Sequence, residues 1–155
     1  GDMTLVFQPT VNSYRRFAPG TFAPPGLTWG YENRTTCFRL VGHDAGSLRV
    51  ENRLPGADSN PYLTAAATIA AGVAGITGKV EPDPEVIGSG YAQEPSRDFA
   101  RSMPEAMERL RGSDFAKDWL GPRFVEAFTS TRQCQYDEFR RRVPDVELER
   151  FFDLG

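Results

Sequence analysis

Polar and apolar residues alternate through Ser47-Leu48-Arg49-Val50-Glu51-Asn52-Arg53, the period-two signature of a strand with unlike faces. Leu48, Val50 and Asn52 point one way. Arg49, Glu51 and Arg53 point the other. Upstream, Arg34-Thr35-Thr36-Cys37-Phe38-Arg39-Leu40 is β-branched and aromatic in character and reads as a second strand. Gly42-His43-Asp44-Ala45-Gly46 supplies the turn, so a hairpin is predicted from about Arg34 to Arg53. Leu27 to Tyr31 is a candidate strand entry. Thr4 to Phe7 is a short apolar run ended by Pro9, and Asn12 to Pro25 has the composition of an ordered loop rather than a helix.

The pattern changes at Asn60-Pro61, an Asx cap with proline at the first helical position. Tyr62 to Ile76 is predicted helical, with Gly78 as its stop. Its run from Ala65 to Gly75 carries no charge on any face, which predicts a helix buried all round behind the hairpin. Glu81 to Arg97 is rich in proline and glycine and reads as an ordered excursion or a flexible loop. Ser102-Met103-Pro104-Glu105 is a capping box opening a helix to about Arg111. Helices follow over Asp114 to Leu120, Arg123 to Arg142 and Val146 to Phe152, with Gly121-Pro122 and Pro144-Asp145 as breaks. Phe124, Phe128, Cys134 and Phe139 are the expected apolar stripe of the longest one. The expected fold is α+β: a β-rich part over about 1–60 and a helical part over about 61–155, in one domain.

Charge adds exclusions. The net charge of −3 argues against non-specific nucleic-acid binding. No stretch is apolar for long enough to span a membrane, and none resembles a signal peptide. Cys37 and Cys134 make neither a disulfide framework nor a metal spacing, which suits a reducing, cytoplasmic setting. His43 is the single histidine, so a histidine-rich metal site and a Ser-His-Asp triad elsewhere in the chain are disfavoured. Gly1-Asp2 carries no start signal, as in a cut or tagged chain. Of 18 cationic residues only Lys79 and Lys117 are lysines. Arginine is the better bidentate partner of carboxylates and phosphates, although GC-rich codon usage is the better account of the arginines of the C-terminal helices.

The face carrying Arg49, Glu51 and Arg53 has two readings. One is a solvated strand face with weak ion pairs. The other is a metal-and-anion surface, with Glu51 as the hard oxygen ligand and the guanidiniums as phosphate or carboxylate clamps. A hairpin that also carries Arg34 and Arg39 favours the second, and the Arg15-Arg16 loop joins it.

Three blocks then resemble the C-terminal part of the glutamine synthetase catalytic domain. They are Asn12-Ser13-Tyr14-Arg15-Arg16-Phe17-Ala18-Pro19-Gly20; Asn33-Arg34 with Arg39; and Arg49-Val50-Glu51-Asn52-Arg53-Leu54-Pro55, followed by Ala57 and Asn60-Pro61-Tyr62. The helices from Ser102 onward have the family's tail pattern, so the resemblance spans nearly the whole chain. It implies ATP-dependent joining of glutamate to an amine through a γ-glutamyl phosphate. It also implies ATP and Mg2+ (or Mn2+) as cofactors, and a double-ring homo-oligomer for the full-length protein. By the same resemblance Glu51 is a metal ligand, and Arg34 and Arg53 are catalytic. Arg16, Arg34 and Arg53 hold glutamate and the transferring phosphoryl group, while Arg34, Arg39 and Arg49 serve the nucleotide.

Two departures bear on the substrate and one on regulation. Ammonia-using members carry a glutamate before Ala-Pro in the loop after Pro-Gly, and here that place is Phe22. A phenyl ring neither takes a proton nor attracts ammonium by charge. Phe22 therefore points to a larger acceptor: a polyamine, ethanolamine, an alkylamine or an aniline. The turn at His43 to Gly46 lacks the lysine some members place near the nucleotide. Tyr91 falls near a tyrosine that some members adenylylate, but its surroundings match poorly. The family's other metal ligands and its adenine pocket lie on segments upstream of those matched, so the 155-residue chain alone is expected to be inactive. The alternatives are a true glutamine synthetase using ammonia and a non-catalytic relative kept for assembly or binding.

Overall fold

The structure, a computed structural model, describes residues 1–18, 20–92, 94 and 98–154. Pro19 of the Pro-Gly block and the tail of the 81–97 excursion lie outside the described residues. The first half of the chain carries α1 (Thr4–Phe7), β1 (Trp29–Tyr31), β2 (Phe38–Val41), β3 (Arg49–Asn52) and α2 (Pro61–Thr77). Four helices follow: α3 (Met103–Gly112), α4 (Asp114–Leu120), α5 (Pro122–Arg140) and α6 (Asp145–Phe151).

The short apolar run at the N-terminus is the centre of the molecule. Leu5 and Val6 of α1 are fully buried and pack with Phe99, Met103, Met107 and Leu110, with Ala67 and Ala70 of α2, and with Cys37 and Leu54. One helical turn is too short for a periodic signal, so its helical state was not legible as a pattern. Burial pushes the Cys37 thiol up to about 12, which makes it a packing residue rather than a nucleophile.

β2 and β3 form the predicted hairpin, antiparallel and in the register Phe38↔Asn52, Arg39↔Glu51, Leu40↔Val50 and Val41↔Arg49. The tip requires glycine at position 42. Its φ is +115°, and an added Cβ would lie 2.4 Å from the Ser47 carbonyl oxygen. β1 pairs with β2 in parallel, which makes the sheet mixed rather than wholly antiparallel. Parallel neighbours ordinarily need a long crossover. Here β1 is three residues long, so residues 32–37 are enough to bring the chain back. Residues 83–88 of the Pro/Gly-rich excursion run along the outer edge of β1: Trp29 Nε1 donates to Asp83 O at 2.6 Å, Val86 N to Trp29 O at 3.0 Å, and Asn33 Nδ2 to Val86 O and Gly88 O at 3.0 and 2.9 Å.

Three expectations are corrected. The segment read as a loop contains a seven-residue 310 helix, Val11–Phe17, because Thr10 and Ser13 cap each other across its first turn. Helix α2 is not buried all round: Ala67 and Ala70 are buried, whereas Ile69 is 64% and Ile76 80% exposed. Small side chains bury little area, so packing against α1 and the bond from Asn52 Nδ2 to Thr68 Oγ1 (3.1 Å) cover only one side. The stripe of α5 is rotated by one position. Val125 and Thr129 are buried, Phe124 and Phe128 are half-buried and stack at 5.3 Å, and Cys134 and Phe139 are exposed.

A carboxylate joins the 310 helix to the strand exit. Asp58 Oδ2 accepts from Thr10 Oγ1 at 2.6 Å and Ser13 Oγ at 2.7 Å. Burial alone would raise its pKa, but these bonds and the charge of Arg16 outweigh it and hold the group below 3.8.

Two measurements check this packing. Leu110→Ala costs about 2–5 kcal/mol, whereas Ile76→Ser changes stability by about 0.5 kcal/mol or less, both read from urea midpoints. Equal losses would mean that the exposed face of α2 is covered in solution. The folded pKa of Asp58 lies below its unfolded value, so its contribution is present above pH 3.8 and is lost as pH falls through the folded value. The stability difference between the parent and Asp58→Asn should therefore shrink as acid titration proceeds below that pH. A difference that is flat with pH would contradict the assignment.

Candidate active site

The sheet sorts its side chains as the alternation demands. Trp29, Phe38, Leu40 and Val50 line one side, where with Leu27 they border an apolar cavity of about 380 Å3. Arg39 and Glu51 are direct cross-strand partners on the opposite side. Arg39 Nη1 donates to Glu51 Oε2 at 3.2 Å, and Arg39 Nη2 donates to Glu32 Oε2. One guanidinium is thus shared by two carboxylates. Glu32 has a φ of +48°, a left-handed conformation rare for a residue with a Cβ. Its other oxygen accepts from Gly42 N at 3.4 Å. The bond to Arg39, with lesser help from Gly42, lowers the pKa of Glu32, and Glu32 in turn raises that of Arg39.

The second cationic group sits at the exit of β3. Arg16 reaches from the 310 helix and donates through Nη1 to Leu54 O (2.8 Å) and Pro55 O (3.0 Å), and through Nη2 to Arg53 O (2.8 Å). Arg53 in turn donates through Nη1 to Thr36 O (2.9 Å) and Arg34 O, and through Nη2 to Phe22 O (3.4 Å). Burial first, and the charge of Arg53 second, pull the pKa of Arg16 below its ordinary value. Like charges are therefore close together. Among the described residues, Arg16, Arg34, Arg49 and Arg53 form no ion pair with a carboxylate. The neighbouring guanidiniums of Arg16 and Arg53, fixed by neutral carbonyls, keep their positive charge for an anion arriving from solution.

The sequence-derived residues fall into distinct places. Arg16 and Arg53 meet where the 310 helix and the β3 exit converge, and Arg53 is held there by the backbone carbonyls of Arg34 and Phe22. Arg39 and Glu51 lie one strand step away. Arg49 is exposed near the hairpin tip and donates to Ser47 O at 3.2 Å. Phe22 is 77% exposed at a φ of +57°, and it borders a cavity of about 490 Å3 with Phe17, Pro24, Tyr91 and Arg101. Glu32 and Asp58 were missed. Neither belongs to a motif: Glu32 acquires its role from the pairing of β1 with β2, and Asp58 from partners more than forty residues away.

The donors fit a divalent cation only in part. Glu51 is half-exposed, and its Oε1 has no hydrogen-bond partner among the described residues. Such an ion takes about six oxygen ligands. Among the described residues no group of three or more His, Cys, Asp or Glu side chains is placed to hold one. The chain thus offers one carboxylate toward such a site. No helix of the described residues is long and apolar enough to cross a membrane.

Gamma-glutamylethanolamide synthetase GlnA4 of Streptomyces coelicolor is 41% identical over 155 residues, covering 98% of this chain and 32% of the relative. Type-1 glutamine synthetase 2 of Dictyostelium discoideum is 38% identical over 152 residues, covering 96% and 29%. The solved structure described as Apo GmaS without ligand superimposes with a TM-score of 0.83 at 28% identity, over 98% of this chain and 35% of that one. The chain thus spans about a third of the length of the proteins it matches. Residues 1–151 match the model of the glutamine synthetase catalytic domain, and the chain belongs to that family.

Proposed function

We propose that this chain forms one wall of the active site of an ATP-dependent glutamate–amine ligase. The observation that carries the reading is the group of guanidiniums at the β3 exit, held by carbonyls and lacking carboxylate partners. Joining glutamate to an amine requires transfer of a phosphoryl group from ATP to the γ-carboxylate, then attack by the amine and loss of phosphate. Each step develops negative charge on phosphoryl or acyl oxygens, and fixed cations stabilise that charge without reorganising. Arg16, Arg34 and Arg53 orient glutamate and the transferred group. Arg34, Arg39 and Arg49 serve the nucleotide phosphates. Glu51 supplies one oxygen to Mg2+ or Mn2+, which when bound neutralises phosphate charge.

Phe22 decides the acceptor. It offers no carboxylate to gather ammonium or take its proton, and its exposed ring borders a cavity with Phe17, Tyr91 and Arg101. An amine with an apolar or larger body suits that surface better than ammonia. The similarity to a protein named as a glutamine synthetase keeps ammonia as the second reading. A purely structural relative would have no use for six charged residues in this arrangement.

The test uses the full-length assembled enzyme, with ATP, glutamate and a panel of amines, scored by phosphate release. An organic amine is the expected best acceptor. Phe22→Glu should raise kcat/KM for ammonia by about tenfold or more and lower it for the preferred amine. Ammonia as the best acceptor of the parent enzyme would remove the argument from Phe22. Absence of turnover with every amine would favour the non-catalytic relative. The 155-residue chain alone, with a single metal-ligating carboxylate, should release no phosphate above background.

A further inference from the structure

Arg39 stands between a carboxylate assigned to metal and one with no assigned role, and this arrangement has a consequence for metal binding. Its Nη1 takes Glu51 Oε2 at 3.2 Å, so in this structure the guanidinium and a divalent cation would compete for the same oxygen. Its Nη2 takes Glu32, whose position is unusually well fixed. Glu32 N donates to Leu40 O at 2.8 Å, and its Oε1 meets the backbone N–H of Gly42, in the turn that only glycine fits. Its φ of +48° is a conformation that a β-carbon disfavours. Side chains of Arg39 and Glu32 are 17% and 34% exposed, so the pair is partly shielded from solvent.

We infer that Glu32 is a positioning residue for the metal site: it takes part of the charge of Arg39 and so weakens the hold of the guanidinium on Glu51, the carboxylate that would ligate a divalent cation. This rests on the assignment of Glu51 as a metal ligand. Without the Glu32 carboxylate, Glu51 is the one carboxylate left paired with Arg39 among the described residues. The guanidinium then holds the oxygen the metal needs, and the site gains one net positive charge. Both effects weaken cation binding. A carboxylate behind a ligand's partner is the kind of outer contact whose loss typically weakens metal affinity by about 10–100-fold.

The experiment is Mn2+ binding to the full-length enzyme without turnover, read from the electron paramagnetic resonance signal of free Mn2+. Glu32→Gln should raise the dissociation constant by about tenfold or more, Glu32→Asp should restore part of it, and Glu51→Gln should weaken binding at least as much. In an Arg39→Met background, Glu32→Gln should have much less effect, because the competitor is gone. Melting curves of each variant separate loss of fold from loss of affinity. Unchanged Mn2+ affinity in Glu32→Gln with weakened binding in Glu51→Gln would overturn the role of Glu32 and leave the ligase reading intact. An equal effect of Glu32→Gln with and without Arg39 would also overturn it. Unchanged binding in Glu51→Gln would remove the ligand assignment itself.

Discussion

One guanidinium holds the cationic wall together. Arg16 spans from the 310 helix to three successive carbonyls at the end of β3, those of Arg53, Leu54 and Pro55. A planar fork of donors matches such a row of acceptors in a way an ammonium does not. Hydrogen bonds that involve a charged group contribute about 1.5–3 kcal/mol each, enough to fix a loop with no regular ladder. Asp58 supports the same junction from the other side through Thr10 and Ser13. Because Arg16 is satisfied by neutral oxygens, its charge is not cancelled. The contact that orders the loop is therefore also the one that leaves the surface positive.

The hairpin contributes the complementary part. Its register places Arg39 opposite Glu51, and a slip of one residue would turn both to the apolar side. The glycine turn at position 42 fixes that register and supplies the N–H that Glu32 grips. Cations without carboxylate partners lie at the β3 exit, and a balanced cation between two acids lies in mid-sheet.

Much of this was legible in the sequence where a local rule and the tertiary structure agree. Alternation from Ser47 to Arg53 gave the strand and its two faces. Asn60-Pro61, Ser102 with Glu105, and Gly121-Pro122 marked helix boundaries to within a residue or two. The failures share a cause. Thr4–Phe7 is too short for a period, and only its packing against α2 and α3 makes it central. The alanine-rich helix lacks charge, but absence of charge does not supply a neighbour to cover Ile69 and Ile76. Glu32 carries no motif: its role arises from a parallel pairing of β1 and β2 that strand propensity does not encode. For the site, residue identities pointed to anions and metal, while the sharing of Arg39 and the carbonyl anchoring of Arg16 required coordinates.

The central claim is that the charged face activates glutamate by phosphoryl transfer from ATP. Glutamate labelled with oxygen-18 in its γ-carboxylate tests this most directly, with the full-length enzyme, ATP and its preferred amine. Passage through an acyl phosphate moves one labelled oxygen into each phosphate released, as read by mass spectrometry. Unlabelled phosphate from an enzyme that turns over would contradict the role assigned to Arg16, Arg34, Arg53 and Glu51.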